Sequence, residues 1–335
     1  MSLRENAMDW AVRRTGRTPR ATRSLVFALG CLAVLALGVV LTRMVDNPYV
    51  FFAGYVVIQY VALATGWNVL GGYAGYINFG PTAFYGVGVY MAAFLVKAMG
   101  APLPVAIAAA GVAGALLGLA MGWMTLRVQG VYFAIATIAL VVMAETVIHN
   151  IDYLGGASGL ALMPPQAPAW AGGQPQFMLM VMLAIAVAFV ALARWIEISA
   201  MGRGLRALKA SEIAAECAGV PTFRLKLIAC AVSGAMLAIA GAPYVYYASF
   251  IEPGTAFSLA LSLNAIAMPL IGGKRSWVGP VIGALLLATV QQAASVTISS
   301  ELNILVVGVV LILFVAVAPD GIVGIVEKLT RRRGA

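Results

Sequence analysis

Charge is what this sequence has least of. Of its 335 residues, 10% are Asp, Glu, Lys or Arg and 62% are hydrophobic, whereas an ordinary soluble domain carries roughly 25% charged residues. So little charge cannot cover a soluble surface, and the expectation is an all-α polytopic membrane protein. Histidine is almost missing: His149 stands alone, which argues against histidine-based metal chemistry. Cysteine gives no framework either. Cys31 and Cys230 fall inside apolar runs and Cys217 in a polar one, unlike a zinc site or a disulfide-stapled domain. With one histidine and no paired acids in the apolar runs, an intramembrane enzyme has no chemistry to use. No catalytic residue, metal or cofactor is assigned. A phosphate loop is absent too. IGGKRSWVGPVIGA (Ile271–Ala284) looks like one, but the motif needs a glycine where Met268 stands and Ser or Thr where Arg275 stands. It reads as a tight turn, and any ATP must bind elsewhere.

What is present is a series of apolar runs, each near the roughly 20 residues that cross a bilayer. Ten are expected, at 24–43, 49–70, 81–98, 103–124, 131–149, 176–194, 225–247, 255–272, 277–297 and 302–319. The net charge is +9, but the basic residues gather at the ends of these runs, which argues against a nucleic-acid partner. They also set the orientation. With the N-terminus inside, 19 Lys and Arg fall inside and only Arg43 and Lys97 outside. Both termini are therefore expected in the cytoplasm.

Arg13, Arg14, Arg17, Arg20 and Arg23 precede the first run. They orient span one or, alternatively, bind anionic membrane lipid or a partner. Thr42-Arg43-Met44 follows that run where a cleavage site would have small residues, so span one is expected to stay. The chain then divides into a basic tail (1–23), a membrane domain (24–319) and a second basic tail (320–335). Ten spans split five and five, which permits an inverted repeat. GPTAFYGVG (Gly80–Gly88) and GPVIGA (Gly279–Ala284) each open a span in what would be corresponding halves.

The longest polar interruption is Met201–Lys226, within a loop at 195–226. It carries Arg203, Arg206, Lys209, Arg224 and Lys226, with Glu212 and Glu216 among them. Strong helix formers run from Arg203 to Cys217, and Ser211 with Glu212 can cap a second short helix. One or two cytoplasmic helices are expected, forming a docking surface.

A second unusual stretch, GGYAGYINFGP (Gly71–Pro81), is rich in glycine yet moderately apolar. Non-helical backbone at membrane depth is tolerated only when buried in protein or lining a wet cavity. This stretch either lines a solute path through Gly72, Gly75, Tyr76, Asn78, Phe79 and Gly80, or packs helices closely through small residues that Gly86 and Gly88 continue. The external segment 150–175 holds too much proline and glycine for a regular element; it meets a soluble partner or simply connects. Glu145, the one acid expected inside a span, lies four residues before His149 and can pair with it. It is a candidate for solute contact or for a structural role near the outer surface.

The polar loop resembles a family signature. Permeases of ABC importers carry a cytoplasmic pattern of roughly EAA, three residues, then Gly. Ala214-Ala215, Glu216-Cys217-Ala218 and Gly219 fit it, with Ile213 in the first position and the acid one earlier at Glu212. That shift, and the run from Gly202 to Tyr244, resemble the branched-chain amino acid permease family. GYAGYINFGPTAFYGVGVY (Gly72–Tyr90), LRVQGVYFAIATIAL (Leu126–Leu140), GGASGL (Gly155–Leu160) and Ile271–Ala284 agree. The longer basic N-terminus and the LRVQG–YFAIAT run look closer to the LivM-type than the LivH-type subunit.

The resemblance implies a permease subunit, without its own nucleotide site, of an importer in the bacterial cytoplasmic membrane. Its partners would be a LivH-like permease, two cytoplasmic ATPases holding ATP and magnesium, and an extracytoplasmic substrate-binding protein. Arg206, Glu212, Ala214, Ala215, Glu216 and Gly219 would form the ATPase contact, with Glu212 and Glu216 facing cations of the ATPase. Cargo would be a branched-chain or other small amino acid or amide. Tyr76 and Asn78 stand where the family often has Gln and Ser, so the cargo can differ from leucine. The rival is a secondary transporter or channel for a small neutral solute. It usually needs intramembrane charges for ion coupling, where only Glu145 is available, and it has no use for a basic helical loop.

Overall fold

The structure, a computed structural model, describes residues 20–45, 47–125, 130–162, 167–168, 172–297, 308–309 and 321–325. It divides into two units, 1–46 and 47–335. The first holds one helix, α1 (Arg20–Met44), whose part Ser24–Met44 is long and apolar enough to cross a bilayer. The helix starts inside the expected basic tail, and residues 1–19 lie outside the described residues, as does most of the second tail.

The second unit is a helical bundle. Asn47 accepts a hydrogen bond from the Tyr49 amide at 3.0 Å, and Pro48 takes the first helical position, where its missing N–H costs nothing. They start α2 (Pro48–Asn68), which runs on into a π-helical turn, Val69–Ala74. Then come α3 (Pro81–Met99), α4 (Leu103–Thr125), α5 (Val131–His149) and α6 (Gln174–Ile198). Two short helices follow, α7 (Ala200–Ala210) and α8 (Glu212–Cys217). The bundle continues with α9 (Thr222–Gly241), α10 (Tyr244–Tyr247), α11 (Pro253–Ala256), α12 (Leu259–Gly272) and α13 (Val278–Thr297). Among the described residues, eight helical segments are long and apolar enough to cross a membrane. They match the first eight expected runs. The ninth run is α13, and the tenth, 302–319, lies mostly outside the described residues. The chain is an all-α polytopic membrane protein.

Lipid offers no hydrophobic pull between helices, so close packing through small residues holds them together. Helix α9 is the hub. A Cβ on Gly114 or Gly118 of α4 would stand 2.4 Å from Gly234 O or 2.6 Å from Cys230 O, and one on Gly88 of α3 would stand 2.0 Å from Ala238 O. These contacts exist because the side chains do not.

The packing has an internal symmetry. Helix α9 lies on α4 and α3, while α2 lies on α13 and α12; α3 packs on α4, and α12 on α13. Exchanging α2 with α9, α3 with α12 and α4 with α13 maps each of these contacts onto another, an arrangement that an inverted repeat permits. The two Gly-Pro segments do not correspond, however. Gly80-Pro81 opens span three, whereas Gly279-Pro280 opens span nine, whose counterpart is span four. The proline that matches Pro81 is Pro253, which opens span eight.

Helix α3 does not begin at the end of the bundle. Thr82 Oγ1 lies 2.7 Å from Ser262 Oγ, and Ser262 sits midway along the span Pro253–Gly272. Residues 75–80 therefore climb to mid-depth without helix. At the opposite end of the bundle, the glycine-rich segment after α5 does form regular structure. Leu160–Ala161 pairs antiparallel with Phe250–Ile251, after two single turns at Asp152–Leu154 and Gly156–Ser158. A Cβ on Gly159 would meet the Phe250 ring at 2.6 Å, so glycine here admits the strand pairing that its abundance seemed to exclude.

Candidate functional site

The polar loop folds as two helices at the basic end of the bundle. Ser199 opens α7 by accepting from the Gly202 amide at 3.3 Å. Ser211 opens α8 by accepting from the Ala214 amide at 3.3 Å, the cap its sequence called for. Helix α7 buries Leu205 and Leu208 against the bundle, and α8 buries Ala215. Outward, α8 presents Ala214, Glu216 and Cys217, together with Ile213, which is 76% exposed. Gly219 closes this turn in the left-handed region at φ 79°.

Two anchors tie these helices to the non-helical stretch after α2. Lys209 Nζ donates to the carbonyl oxygen of Gly72 at 2.6 Å, inside the π-helical turn. Glu212 is the second anchor. It accepts from Lys226 Nζ at 2.5 Å and from the Tyr76 hydroxyl at 2.9 Å, while Lys226 also reaches the Tyr76 oxygen at 3.3 Å. The Lys226 side chain is only 4% exposed and that of Glu212 22%. Burial alone would raise the Glu212 pKa, but the hydrogen bonds from Lys226 and Tyr76 and the Lys226 charge outweigh it and hold the carboxyl below its usual range. Burial, with Lys274 and Arg275 nearby, holds the Lys209 ammonium below the usual lysine range.

Glu212 is therefore committed inside the protein rather than turned outward, contrary to the expectation that it faces a partner's cations. Glu216 is exposed but also engaged, accepting from Thr222 Oγ1 at 2.5 Å. Arg206 bonds the Glu197 carbonyl at 3.1 Å.

A third tie was not foreseen. Glu197, in the last turn of α6, accepts from the Tyr73 hydroxyl at 3.3 Å and from the Trp277 amide at 2.8 Å. It links the end of α6 to both the π-helical turn and the turn between α12 and α13. Arg194, at the expected end of the span, hid it: the helix runs on to Ile198, so Glu145 is not the only acid in a long apolar helix.

These elements surround a cavity of about 630 Å³. Gly75, Tyr76, Phe79, Lys209, Glu212 and Lys274 are among the residues that line it. Gly75 adopts φ 82°, a conformation that needs glycine, and it turns the chain from the π-helical turn into the climbing segment. The other suspected path residues have packing roles. A Cβ on Gly72 would stand 1.9 Å from Asn68 Oδ1, and one on Gly80 2.3 Å from Thr137 O. Asn78 accepts from the Gly80 amide at 2.7 Å through its side chain and from Trp67 Nε1 at 2.6 Å through its carbonyl. The stretch thus divides: Gly75, Tyr76 and Phe79 line the cavity, while Gly72, Asn78 and Gly80 hold neighbouring backbone close. Glu145 is absent from the cavity wall; it stands 3.8 Å from His149 near the opposite end of α5.

A many-span helical bundle, broken at mid-depth and buttressed by short basic helices, fits a membrane permease. The family model described as branched-chain amino acid transport system / permease component matches residues 49–315, and the chain belongs to that family. It is 26% identical over 331 residues to the high-affinity branched-chain amino acid transport system permease protein LivM of Escherichia coli K12, covering 91% of this chain and 77% of that one. It is 27% identical over 282 residues to the corresponding LivH of Salmonella typhimurium, covering 79% of this chain and 91% of that one. No solved structure matches. The chain is a transport permease component of the LivM type and not an enzyme, multi-pass in the bacterial inner membrane.

Proposed function

We propose that this chain is one membrane-spanning permease subunit of an ATP-driven importer for a branched-chain or other small amino acid or amide. A LivH-like permease completes the membrane channel, two cytoplasmic ATPases hold ATP and magnesium, and an extracytoplasmic binding protein delivers the solute. The observation that carries this reading is the pair of anchors from α7 and α8 to the broken segment at residues 72–76. Force applied to the short helices by a closing ATPase reaches the path only through rigid contacts. Lys209 to Gly72 and Glu212 to Tyr76 are such contacts.

The docking face in this proposal is the exposed side of α8, with Ile213, Ala214, Glu216, Cys217 and Gly219, joined by Arg206 of α7. Its orientation toward the cytoplasm follows from the basic residues collected at this end. The test is ATP hydrolysis by the purified complex in lipid, with and without loaded binding protein. Wild type is compared with Ile213→Arg and Gly219→Arg, which alter the outward face and leave the internal anchors alone. Stimulation in the wild type that both variants lose supports the reading. Stimulation that both variants keep removes α8 from the contact, and solute movement driven by an ion gradient without any ATPase replaces the importer with a secondary transporter.

A further inference from the structure

A second cavity, of about 280 Å³, lies among α2, α3, the end of span seven and the start of span eight. It is separate from the vestibule at the basic end. Seven of its nine lining residues carry a hydroxyl or an amide, and none carries a charge. Its size is below the roughly 300–1,000 Å³ typical of drug-sized ligands, which suits a small solute.

The polar groups orient one another. Gln291 of α13 donates from Nε2 to Asn264 Oδ1 at 3.0 Å, which fixes the Asn264 amide so that its Nδ2 donates to the Tyr60 hydroxyl at 3.3 Å. Across the cavity, Gln59 Nε2 donates to the Tyr85 hydroxyl at 3.0 Å and to that of Tyr55 at 3.4 Å. Tyr60 and Tyr85 each accept a hydrogen bond from an amide and keep their own O–H to donate. Among the described residues no acceptor takes either one. A hydroxyl proton facing a cavity at this depth calls for an acceptor, because buried polar groups are paired in stable structures. Four spans hold the arrangement in place: α2, α3, α12 and α13.

We propose that this cavity binds the transported solute within this chain, holding an acceptor group of the solute, carboxylate or amide carbonyl, between the hydroxyls of Tyr60 and Tyr85. The solute class is small and of zero net charge, because the walls hold no counter-ion for an anionic or cationic side chain. Leu261 and Ala260 leave room for a short apolar group. The proposal rests on the transport reading above and deepens it.

The test uses the full complex in proteoliposomes and follows uptake of leucine, alanine, acetamide, glutamate and lysine. Wild type is expected to carry net-neutral solutes and reject glutamate and lysine. Tyr60→Phe and Tyr85→Phe, which keep the rings, are expected to raise KM about tenfold or more. Leucine and alanine against acetamide separate a carboxylate requirement from an amide carbonyl. A wild type that transports while both variants keep its KM overturns the site. A wild type that carries none of the five solutes overturns the transport reading instead. The site is then judged by labelling of Ser258→Cys, in a Cys217→Ser background, with a membrane-permeant maleimide. Slower labelling with a neutral solute than with glutamate sustains the site, and equal rates with every solute overturn it.

Discussion

The ammonium of Lys209 and the carbonyl oxygen of Gly72 stand 2.6 Å apart, although 137 residues separate them. One belongs to a surface helix and the other to a π-helical turn buried in the bundle. The last carbonyls of a helix have no partner within it, and π insertions concentrate at functional positions. Lys209 occupies one of those carbonyls. Lys209→Met keeps the aliphatic stem and removes the donor. The expected cost is roughly 1.5–3 kcal/mol of local stability, as for a hydrogen bond from a charged group. Hydrogen exchange of the amides at 69–76 measures it: they are expected to exchange faster while those at the centre of α9 do not.

The Glu212–Lys226 pair is asymmetric, since the lysine is the more deeply buried partner. Removing Glu212 takes the carboxylate partner away from a buried cation. Glu212→Gln is expected to destabilise by roughly 3 kcal/mol or less, the lower end for a broken buried pair because the carboxylate is partly solvated. The double variant Glu212→Gln, Lys226→Met is expected to recover much of that loss. Thermal unfolding of the four proteins in one detergent closes the cycle, and additive losses would mean that the two side chains do not interact.

Acid should act through the same carboxylate. Its folded pKa is lowered, so its contribution is complete above the unfolded value of about 4.3 and is lost as pH falls from there through the folded value. The Tm difference between wild type and Glu212→Gln is expected to be level from neutrality to about pH 4.3 and to shrink only below it. A difference that instead shrank between pH 8 and pH 6 would point to another group.

Two glycines separate packing from strain. Gly88→Ala places a methyl where Ala238 O stands 2.0 Å away, so α3 and α9 must part, and the yield of folded protein is expected to collapse. Gly219→Ala meets nothing within 4 Å and costs only the left-handed backbone, about 1–2 kcal/mol. Size-exclusion profiles of the two variants distinguish the cases.

Thiol chemistry tests the docking face directly. Cys217 is exposed on α8 and Cys230 is buried in α9. A bulky maleimide is expected to modify Cys217 and spare Cys230, and bound ATPase is expected to slow the Cys217 reaction. Equal rates with and without the ATPase would place the contact elsewhere.

Most of the span pattern was legible because apolar length is a one-dimensional property: eight described runs begin and end within a few residues of their helices. The caps at Ser199 and Ser211 obey similarly local rules, although only Ser211 was singled out. The site was only half legible. The signature around Ala214–Gly219 marked the right helices, but nothing in the order of residues told that Glu212 turns inward to meet Lys226 from the next span. Such pairing depends on how three distant segments meet. Glu197 was missed because Arg194 ended the apolar run, while the helix itself continued. The Gln59, Asn264 and Gln291 amides were passed over because isolated uncharged polar residues barely disturb hydropathy. Only their convergence in space makes them a group.

Helix α6 ends at Ile198 and α7 begins at Ala200, with Ser199 alone between them in an extended conformation. The 25 residues of α6 make a rod about 37 Å long at 1.5 Å per residue. A joint of one residue at its foot makes that rod a lever. A rotation of only ~5° at the short-helix end would swing its far tip by about 3 Å, a displacement on the scale of one water molecule. That tip begins beside Tyr246, whose carbonyl accepts from Gln174 at 3.0 Å. A small stroke at one face of the membrane would in this way be geared into a larger one at the other.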